Sequence, residues 1–144
     1  MSVGSVIAKN WLTTTVGAMG LKVLGCKGLS PVAGAEECIK LVGATIGVEI
    51  KDCVIAGDFS VAAIHNPTGN VLLNLLISDC ILKNDQAGDF ALELVSACTG
   101  ALVRCFYHTN ALATAVDPGS CYSYECYANH QVDKNGLLTP GVDS

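Results

Sequence analysis

The clearest periodic pattern of apolar residues lies between residues 30 and 56. Ser30 and Pro31 precede it in an arrangement that favours a helix start, because serine caps helices and proline suits the first helical position. The positions that follow at intervals of three and four residues are Cys38, Leu41, Val42, Thr45, Ile46, Ile50, Cys53 and Val54. This spacing predicts one apolar face of a helix that runs to about Ala56, with Gly57 as its stop.

A second long helix is predicted to begin at Asp89. Its apolar positions are Phe90, Leu94, Ala97, Cys98, Ala101, Leu102, Cys105 and Leu112. The stretch IKDCVIAGDF (50–59) is also similar to ISDCILKNDQAGDF (77–90), which suggests two stacked helical hairpins. Two copies fall short of a solenoid, for which at least about three repeats are needed.

The region 59–82 also allows a β interpretation, as two strands around a Pro-Thr-Gly-Asn turn. Its leucine-rich second half favours helix over strand. We therefore predict an all-α fold, mostly helical and disulfide-stapled, with an irregular C-terminal tail; the alternative is α+β with a hairpin around 59–82. At 144 residues the chain is predicted to be a single domain. It divides into an N-terminal segment (1–29), a helical core (30–116) and a Cys/Tyr-rich tail (117–144).

The composition indicates that apolar surface meets something other than water. Hydrophobic residues make up 51% of the chain and charged residues only 15%, where about 25% charged is usual. A bilayer is not the expected partner, since the charge-free run 59–78 is interrupted by the turn-like sequence HNPTGN. No membrane span is predicted.

The charge excludes one class of partner and the N-terminus suggests no leader. The net charge is −5 and the basic residues are dispersed, with Arg104 the single arginine. Nucleic-acid binding needs clustered basic residues, so none is predicted. Lys22 and three threonines interrupt the apolar run at the N-terminus, which we therefore interpret as mature chain.

The eight cysteines are interpreted as a disulfide framework of a secreted protein. They are Cys26, Cys38, Cys53, Cys80, Cys98, Cys105, Cys121 and Cys126. Within one helix, Cys98 and Cys105 would have α-carbons about 10 Å apart, beyond the roughly 7 Å that a disulfide allows. We therefore expect the disulfides to join helix to helix and helix to tail, with the pairing left open.

Metal and catalytic interpretations of the C-terminal region are weaker. Cys105, His108, Cys121, Cys126 and His130 could supply zinc ligands, but their spacing is loose and there is no C-x-x-C. A Cys105–His108 dyad would require a cysteine spared from disulfide pairing. His65 is interpreted as a solvated turn residue. The chain lacks the common hydrolase, phosphate-loop and dinucleotide motifs, so no enzyme activity, cofactor or metal is predicted.

Two functions of different classes remain for the chain. The first is a secreted structural protein that self-associates into an oligomer or extended assembly, because sparse charge and exposed apolar patches favour chain–chain contact. Its predicted interface residues are Trp11, Tyr122, Tyr124 and Tyr127, since tyrosine and tryptophan are enriched at interfaces. The alternative is a carrier of an apolar small molecule such as a lipid, with a cavity lined by Leu72, Leu75, Leu76, Leu94 and Leu102. A zinc- or cysteine-dependent enzyme is a third possibility.

Overall fold

The chain folds as a parallel β-solenoid, in which successive rungs of the chain stack their strands in register. The computed structural model describes residues 2–4, 12–14, 19–67, 69–86, 89–94, 97–109 and 116–128. The strands are β1 (Ser2–Gly4), β2 (Leu12–Thr13), β3 (Lys22–Leu24), β4 (Lys27–Lys40), β5 (Thr45–Ile46), β6 (Glu49–Lys51), β7 (Val54–His65), β8 (Leu72–Leu73), β9 (Leu75–Ser78), β10 (Ile81–Asn84), β11 (Phe90–Leu94), β12 (Gly100–Val103), β13 (Phe106–Thr109), β14 (Val116–Pro118), β15 (Tyr122–Tyr124) and β16 (Tyr127–Ala128).

The strands form three sheets along the solenoid. One sheet has the order β15-β12-β9-β6-β3, a short one pairs β5 with β8, and the largest contains nine strands built around β4 and β7. Within the described residues every strand pairing is parallel. Each rung therefore places its residues beside the equivalent residues of the next rung, about 4.8 Å away.

One corner of the solenoid recurs in five rungs and follows a simple rule. A residue with a positive φ turns the chain, and the cysteine after it packs at the edge of the core. The turning residues are Gly25 (φ 63°), Asp52 (54°), Asp79 (54°), Arg104 (48°) and Glu125 (51°). They precede Cys26, Cys53, Cys80, Cys105 and Cys126. Backbone hydrogen bonds join the corners of neighbouring rungs, as in Val54 N–H to the Cys26 carbonyl at 2.9 Å.

The core is a set of columns that run along the solenoid axis. One column, aligned by the register of β3, β6, β9 and β12, contains Val23, Ile50, Ile77 and Leu102. A second, aligned by β4, β7, β11 and β14, contains Ile39, Ile64, Leu92 and Val116. All of these side chains are buried. Like residues stacked on like residues provide the apolar burial that stabilises the fold.

The all-α prediction is wrong, and so is the α+β alternative. The described residues contain strands and no helix. In the region 59–82 the strands do not form a hairpin: β7 pairs with β4, β10 and β11, while β9 pairs with β6 and β12. The helical core predicted for 30–116 is thus built from β4 to β14. The supposedly irregular tail contributes β15 and β16 to the last rung, and the single-domain division stays a prediction.

The disulfide prediction is also wrong. All eight cysteines are free thiols: Cys26, Cys38, Cys53, Cys80, Cys98, Cys105, Cys121 and Cys126. Seven of them are buried and Cys121 is half-buried. They act as small apolar side chains, since a thiol packs well in a core. Burial raises the pKa of Cys38 and of Cys121 to about 12, so both stay protonated at neutral pH. The secreted location, which depended on disulfides, stays a prediction without that support.

Candidate functional site

The first candidate surface is the ladder of residues that directly follow the corner cysteines, here called the corner strip. Strand register aligns its five members as Lys27, Val54, Ile81, Phe106 and Tyr127. The last three remain 47%, 43% and 39% exposed. Three consecutive rungs thus present large apolar side chains to solvent in one continuous line.

Further tyrosines extend this surface around the corner. Tyr122 is 83% exposed and Tyr124 is 60% exposed, both on β15. Residues two apart on a strand point to the same side, so the two rings share the outer face of that strand. Of the interface residues predicted from the sequence, Tyr127 therefore belongs to the corner strip, and Tyr122 and Tyr124 lie beside it. Trp11 lies outside the described residues.

The charges at this corner cancel. The described charged residues on the strip and the positions immediately beside it are Lys27, Lys51, Asp52, Asp79, Arg104 and Glu125. Arg104 donates two hydrogen bonds to Asp79, from Nε at 2.7 Å and from Nη2 at 2.9 Å. These hydrogen bonds hold the pKa of Asp79 below its usual value. Three cations and three anions make the corner neutral on a chain whose net charge is −5.

The second candidate surface is a cluster of charged side chains on β4, β7 and β11, here called the charge cluster. It consists of Glu37, Lys40, His65 and Glu93. Oε1 of Glu37 lies 2.8 Å from His65 Nδ1 and 3.1 Å from Lys40 Nζ. On the other side of the ring, His65 Nε2 lies 3.5 Å from Glu93 Oε2. The imidazole therefore stands between two carboxyl groups.

A shift in strand register accompanies the burial of Glu37. The pairing of β4 with β7 shifts between Ser30 and Ala35 and again between Ala35 and Glu37. Such irregularities re-aim side chains relative to a regular ladder. The Glu37 side chain is only 1% exposed, and its Oε2 has no hydrogen-bond partner among the described residues.

The two carboxyl groups of the charge cluster titrate in opposite directions. Burial alone would raise the pKa of Glu37, but the hydrogen bonds from His65 and Lys40 outweigh it and the pKa is lowered. Burial raises the pKa of Glu93, and only part of this is offset by His65. Carboxyl groups with separated pKa values can divide acid and base roles. With a side chain 33% exposed, Glu93 is where the cluster meets solvent.

The predicted ligand and nucleophile groups are not brought together. Cys105 is buried, whereas His108 follows the exposed Phe106 and the buried Tyr107 and lies on the outer side of β13. The two side chains are therefore on opposite sides of the solenoid wall, so they do not form a dyad. Cys126 is buried, and His130 lies outside the described residues. Among the residues that the structure describes, no three potential metal ligands cluster.

The leucines proposed to line a carrier cavity belong mainly to the packed core. Leu72, Leu75, Leu94 and Leu102 are at most 2% exposed and belong to the core cluster. Leu76 lies half-buried on β9, in register with Glu49 and Ala101. The described part of the chain contains no helix that could span a membrane. Ligand binding stays a prediction that these contacts do not favour.

Sequence reasoning missed Ile81, Phe106 and the charge cluster. A signal for the first two exists, because Cys26, Cys53 and Cys80 recur 27 residues apart and each strip residue directly follows a corner cysteine. The charge cluster has no comparable signal, since Glu37, His65 and Glu93 come from three rungs with irregular spacing. Comparison with known proteins gives no further guide: no family model matches the chain, and no curated protein or solved structure is similar to it.

Proposed function

We propose that this protein is a structural protein that self-associates through the corner strip. The observation that carries the proposal is the in-register line of Ile81, Phe106 and Tyr127, each more than a third exposed. Contiguous exposed apolar surface on a soluble chain marks a contact site. Aromatic residues are enriched at such sites relative to the rest of a protein surface.

The rigidity of the strip supports association. Each strip residue lies on a strand that is hydrogen-bonded to its neighbours, as when Phe106 N–H donates to the Cys80 carbonyl at 2.9 Å. Because the backbone is already ordered, less conformational entropy is lost when the surface is buried. The neutral charge balance of the corner also spares it the repulsion expected between two acidic chains.

A second exposed ladder provides the natural comparison. Met19, Ile46 and Leu73 are aligned across three rungs and are 76%, 43% and 41% exposed. This ladder contains no aromatic residue, whereas the corner strip contains two and has two more tyrosines beside it. We therefore assign the contact to the corner strip and use the other ladder as the control.

The test compares Ile81→Lys with Ile46→Lys. Both isoleucines lie on strands, with exposures of 47% and 43%, so the two substitutions add the same charge at similar sites. Sedimentation velocity over a range of protein concentrations measures the dissociation constant of each variant. We expect Ile81→Lys to weaken self-association at least about tenfold, equivalent to about 1.4 kcal/mol, and Ile46→Lys to leave it near the unmodified value.

Circular dichroism and urea unfolding of both variants serve as controls for folding. Equal weakening by the two substitutions would indicate nonspecific hydrophobic association. Unchanged association of a folded Ile81→Lys variant would remove the corner strip from the contact.

A further inference from the structure

We infer that two copies of this chain meet at the corner strip in an antiparallel, two-fold arrangement. The inference rests on the proposed self-association and adds the direction in which the two solenoids run. The argument comes from the order of charges along the corner, which is not the same when read from its two ends.

The charges alternate in a defined order from the first rung to the fifth. Lys27 lies in the first rung, Lys51 and Asp52 in the second, Asp79 in the third, Arg104 in the fourth and Glu125 in the fifth. The first rung is thus basic and the last is acidic. Ile81 and Phe106, the exposed apolar centre, lie between them.

An antiparallel arrangement centred on the third rung brings unlike charges together. Lys27 of one copy then faces the fifth rung of the other, where Glu125 lies. Asp52 faces the fourth rung, where Arg104 lies. Arg104 uses Nε and Nη2 for Asp79 of its own chain, and a guanidinium has further donors to offer. The same rotation overlaps the apolar side chains of the two copies.

A parallel arrangement would do the opposite. A two-fold axis along the solenoid places every rung beside the same rung of the other copy, so that Lys27 faces Lys27 and Glu125 faces Glu125. Like charges at an interface disfavour an orientation, and complementary ones select it. A two-fold contact is self-complementary by symmetry, and here only the antiparallel direction makes the charges complementary as well.

The central rung is compatible with this arrangement. Asp79 lies near the two-fold axis and faces its own copy, which would be unfavourable for two isolated carboxylates. Its hydrogen bonds with Arg104 keep each carboxylate paired within its own chain. The close approach therefore involves two neutral pairs rather than two free anions.

The test is a charge exchange between the ends of the strip. The variants are Lys27→Glu, Glu125→Lys and the double variant with both substitutions in one chain. Lys27 is exposed and Glu125 half-buried, and the corner position of Glu125 is occupied by Arg104 in the rung before it at nearly the same φ. A long basic side chain is thus compatible with that backbone.

Sedimentation equilibrium gives the dissociation constant of each variant. In the antiparallel arrangement each single substitution places like charges opposite each other, and we expect association to weaken about five- to tenfold. The double variant restores opposite charges and should return to within about twofold of the unmodified chain. Net charge is controlled internally, because the two single variants shift it in opposite directions and the double variant leaves it unchanged.

The outcomes separate this inference from the proposed function. Single and double variants that associate like the unmodified chain would overturn the antiparallel arrangement, while a loss of association in Ile81→Lys would keep the corner strip as the contact. A double variant that stays as weak as the single variants would also overturn the inference. A chain that is monomeric without any substitution would remove both.

Discussion

The corner strip and the charge cluster are both outer surfaces of the same solenoid, but they differ in whether the chain satisfies its own side chains. In the charge cluster, Glu37 has two cationic or imidazole partners within 3.1 Å. In the corner strip, Ile81 and Phe106 have each other as ladder neighbours and remain nearly half exposed. One surface is closed within a single chain, and the other is left open.

This difference follows from how a parallel ladder treats polar and apolar residues. Side chains in register lie about 4.8 Å apart, close enough for neighbouring ionic groups to pair from rung to rung. Apolar side chains in the same geometry bury only the flanks that touch their neighbours, and their outer surfaces stay in water. A polar ladder can therefore complete itself, whereas an apolar ladder needs a second surface.

The largest stability effect is expected in the charge cluster. His65→Leu removes the hydrogen bond to a carboxylate that is 1% exposed, so we expect the free energy of unfolding at pH 7 to fall by about 2–3 kcal/mol. The matched control is His108→Leu, because Nδ1 of His108 is buried with no hydrogen-bond partner in the described part of the chain. That substitution should change stability by less than about 1 kcal/mol. Urea unfolding measures both, and equal losses would show that the cluster is not specially stabilised.

The acid dependence of stability gives a smaller effect with a defined sign. The folded pKa of Glu37 lies below its ordinary value of 4.5. Its contribution is therefore present above pH 4.5 and is lost as the pH falls through the folded pKa. The raised pKa of Glu93 acts in the opposite direction and is common to both proteins compared here.

We expect Glu37→Gln to reduce the stability lost between about pH 5 and pH 3 by about 1 kcal/mol relative to the unmodified chain. Urea unfolding at a series of pH values provides the comparison, and the slope with pH is the readout because the variant also starts from a lower stability. Parallel stability curves for the two proteins would mean that Glu37 does not carry this dependence.

The smallest stability effect is expected in the corner strip. Phe106 is 43% exposed, so Phe106→Ser should lower the free energy of unfolding of the dilute chain by less than about 1 kcal/mol, the scale of a cross-strand pair. The same substitution should weaken self-association at least about tenfold, because it removes an aromatic side chain from the contact. A large loss of stability without a loss of association would reverse the comparison between the two surfaces.

The helical periodicity that misled the sequence prediction has a physical origin in the corner. Along β12 and the corner that follows, Leu102 points inward, Val103 outward, Arg104 turns the chain with a positive φ, and Cys105 points inward again. Two consecutive inward residues are therefore three positions apart, which is also the spacing of a helix face. Ile50 and Cys53 repeat the pattern.

The recurrence of the corner was partly visible in the sequence. The similarity between 50–59 and 77–90 reflects two successive rungs, and it was interpreted as helical hairpins because only two copies were considered. Cys26 and Gly25 provide the third copy, 27 residues earlier. Later rungs are shorter, with Cys105 25 residues after Cys80, which obscures the period.

The candidate surfaces were predictable to different degrees. The tyrosines of 122–127 were identified from composition, and three of them lie exposed at or beside the corner strip. Ile81 and Phe106 were not identified, because an isolated apolar residue in a sequence does not reveal which side of a strand it occupies. The charge cluster depends on the stacking of β4, β7 and β11, so only the fold could bring its residues together.

The most direct test of the central proposal is the mass of the unmodified chain in solution. Size-exclusion chromatography with light scattering, from about 1 to 100 µM, covers the range in which a typical transient contact forms. The account predicts a mass that rises from one chain towards two as the concentration increases. A constant monomer mass over the whole range would contradict self-association through the corner strip.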